Sequence, residues 1–270
     1  MSLHIKKFLF LGIFIFISCS TGNLDVIADL PSDLPEISAV EKFPDSEILW
    51  MIEDAGNDNV LFGINFNGKI EREITIANAK NKDWEDLTTD NKNTIYIGDF
   101  GNNNKKRDVF TIYKIPNIDT TSDKAIATKI DFELPKKMKS KDFEAFFLFR
   151  NQFYIFSKEH KKGVVIKVPN IEGLHTAELV TEFEITGKHA KITSADFSED
   201  GKSIVLLNHD KTWLFSNFKD DDFFKGDKKM LDFKHSSQKE GICFFGKNRL
   251  LITDELQGSH GGNIYSYTLN

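Results

Sequence analysis

Cysteine is nearly missing from this 270-residue chain, which has two, Cys19 and Cys243. That excludes a disulfide-stapled fold, so stability has to come from packing. Cys243 stands in the apolar run Ile242-Cys243-Phe244-Phe245, where a buried, inert thiol is expected. Proline is scarce, at 6 residues. No helical pattern of the usual length interrupts the chain. A Gly-x-Ser-x-Gly elbow and a phosphate-binding glycine loop are both missing, and the 7 histidines show no zinc spacing. Positive charge is also short, with a formal net charge of −6. Nucleic acid and anionic headgroups reward a basic surface, so this balance argues against both as partners. What the chain has in quantity is phenylalanine, at 25 residues, among β-branched residues and short Asn/Asp/Gly turns. That composition favours an all-β fold.

The N-terminus reads as a targeting segment. Lys6 and Lys7 precede an apolar run from Phe8 to Ile17 that is too short to span a bilayer, which takes about 20 apolar residues. The run ends in Phe16-Ile17-Ser18-Cys19, which resembles the bacterial lipobox. The resemblance implies cleavage after Ser18 and acylation of Cys19, so that the bilayer becomes a partner through the lipid. Residues 1–18 are then a lipoprotein signal peptide, 19–34 a lipidated tether with a ring-closing strand, and 35–270 the folded domain. Losing Lys6 and Lys7 leaves 33 basic against 41 acidic residues, a net charge of −8. No other stretch is apolar enough to cross a membrane, which places the domain outside the cytoplasm. Ser20, directly after the cysteine, is not the aspartate that retains enterobacterial lipoproteins at the inner membrane. By analogy this points to the outer membrane.

The chain repeats itself. Four segments align without gaps from a carboxylate onward: Glu85 through Asp99, Glu144 through Lys158, Asp196 through Asp210, and Glu240 through Asp254. A fainter copy starts at Ser38 and reaches Glu53-Asp54 after a longer turn. A third strand and a more polar fourth strand follow in each copy, except that the last copy ends before its fourth. A spare strand-like piece, Leu24 to Leu30, precedes the first copy. Four-stranded repeats of about 45–50 residues are propeller blades. The fold expected is therefore a β-propeller of five four-stranded blades, its N-terminal strand closing the last. A sixth blade would require a degenerate copy missed in the count.

The segments Asp83-Trp84-Glu85-Asp86-Leu87, Tyr96-Ile97-Gly98-Asp99-Phe100-Gly101-Asn102-Asn103, Asp142-Phe143-Glu144-Ala145-Phe146 and Glu240-Gly241-Ile242 resemble a group of secreted bacterial propellers. These look related to the SdiA-regulated and esterase-like phytase families, and more distantly to gluconolactonase and regucalcin-type propellers. The resemblance implies the fold, and no metal ligand is carried over from it.

In a propeller the first strand of each blade lines the axis. The repeated acids Glu85, Glu144, Asp196 and Glu240 are therefore expected at one channel mouth. Like charges so placed need water, protons or a cation. Hard oxygen ligands suit Ca²⁺ or Mg²⁺ better than zinc, with Glu85, Glu144 and Glu240 as the metal ligands. A second ring of Asp54, Asp99, Asn208 and Asp254 should crown the same mouth or cap turns beside it, and Lys158 could neutralise the acids. Two functions compete. One is an envelope-anchored module that binds a small ligand or an envelope protein at the mouth. The other is a divalent-cation-dependent hydrolase, acting on lactones or phosphoesters.

Overall fold

The computed structural model describes residues 20–159, 162–185 and 190–269. The signal segment and Cys19 lie outside the described residues. Five antiparallel sheets form the blades, in chain order. Their innermost strands are Ile37–Glu41, Trp84–Thr89, Phe143–Phe149, Ser194–Phe197 and Lys239–Phe244. Each innermost strand neighbours the next around the axis, and the last neighbours the first, so the ring is closed. Closure takes the predicted route: Asp25–Asp29 pairs antiparallel with Asn263–Thr268 as the fourth strand of the last blade. Among the described residues no helix is long and apolar enough to cross a membrane.

The apolar second strands explain the stacking. Side chains alternate across a strand, so a blade between two neighbours must be apolar on both faces. Ile95 and Ile97 pack toward the first blade, while Tyr96 packs toward the third. Phe153 and Ile155 face the second blade, Tyr154 and Phe156 the fourth. Five hydrophobic layers result, one at each junction between blades. Much of the phenylalanine is concentrated between the third and fourth blades, where Phe147, Phe149, Phe197 and Phe223 contact one another edge-on, tilted or stacked. Cys243 is buried in the layer between the last and first blades, as an inert thiol should be.

Two short strands have no counterpart in the repeat. Lys124–Ala125, from the second repeat, adds in parallel to the outer edge of the first blade. Gly173–Thr176, from the third repeat, does the same to the second blade. Both come from long connections between third and fourth strands, which have length enough to reach back and cover a neighbour's open edge.

Side chains fill the axis. Asp86 is fully buried and ties three blades together. Its Oδ1 accepts from Leu87 N (3.0 Å) and Ser194 Oγ (3.0 Å), and its Oδ2 from Phe146 N (3.0 Å) and Ala195 N (3.2 Å). Ser194 Oγ in turn accepts from Ile242 N at 3.2 Å, reaching the fifth blade.

Candidate functional site

The mouth is built by a recurring irregularity. In four blades the innermost strand carries a β-bulge against the second strand, and the extra residue is Ser38, Glu85, Glu144 or Glu240. A bulge re-aims the side chain of its extra residue. In the fourth blade Ser194 pairs with Leu207 while Thr193 N also donates to Leu207 O, so Thr193 holds this position. The ring is thus three glutamates and two hydroxyls. The hydroxyls lock neighbours: Ser38 Oγ donates to Trp84 O (3.2 Å) and Thr193 Oγ1 to Lys239 O (2.8 Å), each just before the next blade's glutamate.

This corrects the repeat alignment for Asp196. It lies three residues beyond Thr193, at the level of Glu41 rather than of Glu85. Its carboxylate accepts from Phe197 N and Phe244 N, each at 2.7 Å, and burial raises its pKa to about 7. Glu41, likewise buried, has its pKa raised by burial and by Asp196. Hairpin length varies between blades. From the ring residue to the end of the second strand the count is 15, 14, 13, 14 and 14 residues along the five blades. An alignment anchored on an acid therefore slips in the fourth blade, where the ring residue is Thr193.

In the second ring Asp99 and Asp254 hold equivalent places and Asp54 does not. The partner of Trp84 is Asp99, that of Lys239 is Asp254, that of Phe143 is Ser157, and that of Ile37 is Glu53. Asp54 and Lys158 each stand one residue further out. Asp99, Asn208 and Asp254 hold local structure. Arg107 donates to Asp99 Oδ1 and to Asp99 O, both at 2.8 Å. Asn208 Oδ1 accepts from Asp210 N and Lys211 N. Asp254 accepts from Asn263 N and Tyr265 Oη, each at 2.9 Å.

Around the glutamates the charges are dense and largely dry. Glu85, Glu144 and Glu240 are all buried. Lys158 Nζ donates to Glu144 Oε2 at 2.8 Å. Burial alone would lower the Lys158 pKa, but Glu144, Glu240 and Glu85 together hold it above its ordinary value. His209 Nε2 lies 3.2 Å from Glu240 Oε1. Burial and the neighbouring Glu144 push the Glu85 carboxyl well up, and burial raises Glu144 to about 7 against the pull of Lys158. Each of the two carboxyls thus bears on the proton affinity of the other. Among the described residues Glu144 Oε1 meets no donor.

The metal-apt group differs from the expected Glu85, Glu144 and Glu240. Carboxylate oxygens of Asp54, Asp83 and Glu85 all lie within 4.8 Å of one another. Glu144 and Glu240 have Lys158 and His209 instead. Burial, then Asp54, raises Asp83 to about 6, with Arg107 opposing. Burial also raises Asp54. Gly101 makes the approach possible, since a Cβ there would overlap both Glu85 Oε1 and the Asp83 carboxylate. Glu255, raised to about 8 by burial and by Glu240, completes the acidic mouth. Sequence reasoning missed Asp83 and Glu255 as site residues. Asp83 left a signal in the Asp-x-Glu spacing shared by Asp83-Trp84-Glu85 and Asp142-Phe143-Glu144.

No family model and no curated protein matches this chain. Solved structures do resemble it. The PQQ-bound aldose sugar dehydrogenase from Streptomyces coelicolor matches with a TM-score of 0.54 at 7% identity, over 91% of this chain and 98% of that one. A chain of a nidogen/laminin complex matches with a TM-score of 0.49 at 11% identity, over 81% of this chain and 72% of that one. At such identities the dehydrogenase likeness is one of fold: the chain is a β-propeller.

Proposed function

We propose that this propeller is a binding module of the cell envelope, tethered through acylated Cys19, with the outer membrane as its site. Its mouth binds a divalent cation, Ca²⁺ or Mg²⁺, through Asp54, Asp83 and Glu85. The observation that carries this reading is the convergence of those three carboxylates beside Gly101. Three hard anionic ligands at this separation suit a cation that completes its shell with water. A depression of about 530 Å³, lined in part by Asp83, Gly101, Asn102 and Arg107, adjoins the group and offers room for a small ligand of the bound ion.

Thermal unfolding with and without Ca²⁺ or Mg²⁺ tests the reading. A cation at 100 times its Kd stabilises by about 2.7 kcal/mol, so a clear upward shift in Tm is expected. Asp83→Asn and Gly101→Ala should each remove the shift. The shift should also grow as pH rises past about 6, where Asp83 ionises. An unchanged Tm with both ions would refute the cation site.

A second reading, a cation-dependent hydrolase, is favoured by Glu144. Its pKa near 7 suits a general base, which works best when its pKa lies close to the working pH. Lactone and phosphoester turnover that is lost in Glu144→Gln would support it. A flat rate across both substrate classes would leave the binding module alone.

A further inference from the structure

The start of the described chain is fastened down. Asn23 N donates to Phe233 O at 2.6 Å and Asn23 Nδ2 to Asp232 O at 2.9 Å. Leu24 is buried between the fourth and fifth blades. Thr21 and Leu24 close a turn, with Thr21 Oγ1 donating to Leu24 O at 2.8 Å. Gly22, at φ 65°, lies so close to Phe233 O and Lys234 that a Cβ would overlap them. Ser20 and Thr21 alone separate Cys19 from this fixed point. Three residue steps span roughly 10 Å at full extension. A domain of about 250 residues has a radius of gyration of roughly 18 Å. A chain held on a tether shorter than its own radius cannot swing free of the surface that holds the tether.

From this we infer that the propeller docks edge-on against the bilayer, with the junction of its fourth and fifth blades as the lipid-facing surface. The inference rests on the acylation of Cys19 proposed above. The outermost strands at this junction are Asp227–Asp232 and Asp25–Asp29. Each presents one exposed large apolar side chain, Met230 (54% exposed) and Val26 (47%). Acidic and basic residues are mixed on these edges, so contact comes from the tether and the apolar side chains rather than from headgroup charge. A cavity of about 640 Å³, lined by Thr21, His235, His260 and Tyr265 among others, opens beside the tether and lies within reach of the lipid surface.

Amine footprinting tests the orientation. The acylated chain is reconstituted into phosphatidylcholine vesicles and treated with a membrane-impermeant amine reagent, beside a Cys19→Ala chain in the same buffer. Several-fold slower labelling of Lys228, Lys229 and Lys234 is expected in the anchored chain, with Lys136 and Lys137 on a distant rim unchanged. Inserting about 20 Gly/Ser residues between Ser20 and Thr21 lengthens the tether by roughly 25 Å and should restore full labelling while acylation persists. Intact mass reports the acyl group separately. Acylation with equal labelling at both rims overturns the docking alone. A Cys19 without lipid overturns the anchor, and the docking with it.

Discussion

Lys158 decides how the acidic mouth survives burial. It is the cation shared by Glu144, Glu240 and Glu85. Removing one partner of a buried ion pair leaves an uncompensated charge, at a cost of about 3 kcal/mol or more. Lys158→Met should therefore lower stability by about 3 kcal/mol at pH 8, measured by urea unfolding. The loss should shrink below pH 7, where Glu144 takes up a proton instead. An equal loss at both pH values would show that Lys158 acts by packing and not by charge. At the axis, Asp86 accepts four hydrogen bonds from three blades. Asp86→Asn turns part of that acceptor into a donor facing N–H groups, and the expected cost is about 3 kcal/mol. Retained stability would indicate that water or a rotated amide satisfies the donors. The neutralising role of Lys158 was expected from the sequence, while the axial role of Asp86 was not. Lys158 reads there as a departure from a repeated acid, and Asp86 as the residue after one. Which donors surround a carboxylate depends on strands 60 to 109 residues away.

At the scale of elements, the closing strand carries the ring. Leu24 packs among Val205, Phe233, Ile252 and Tyr265, so Leu24→Ala should cost about 2–3 kcal/mol. Removing residues 20–29 should cost more and add aggregation, because it bares the edge of Asn263–Thr268. Unchanged melting and light scattering in the truncated chain would contradict closure by this strand. Strand existence and order were legible from the apolar runs and turn residues, since alternation and blade stacking impose them locally. The two edge-covering strands were not. Their pairing is parallel and joins neighbouring repeats, and it leaves no periodic mark in a two- to four-residue segment.

For the molecule as a whole, pH links the mouth to stability. Asp83, Glu144 and Glu255 have folded pKa values of about 6, 7 and 8, all above their ordinary range. The folded state then binds more protons than the unfolded one, so stability falls as pH rises. The stabilisation is complete below the unfolded pKa of about 4.5 and is lost as pH climbs through the folded values. Without divalent cation, Tm should decline from about pH 5 to about pH 8. Glu85→Gln, which removes one of the repelling acids, should flatten the decline. A Tm that rises over this range would contradict the burial of these carboxyls.

The sequence by itself determined the five-blade count, the four-strand repeat, the closure by an N-terminal strand and the presence of acids at the start of innermost strands. These follow from local alternation, turn chemistry and self-similarity, which a chain carries in its order of residues. Tertiary structure alone decided which acids meet. It placed Thr193 rather than Asp196 in the ring, gave Glu144 and Glu240 to Lys158 and His209, and brought Asp54 to Asp83 and Glu85. The physical reason is that a hairpin can lengthen or shorten by one residue at its turn without disturbing the bulge at the mouth. Sequence spacing records the turn, while chemistry follows the bulge.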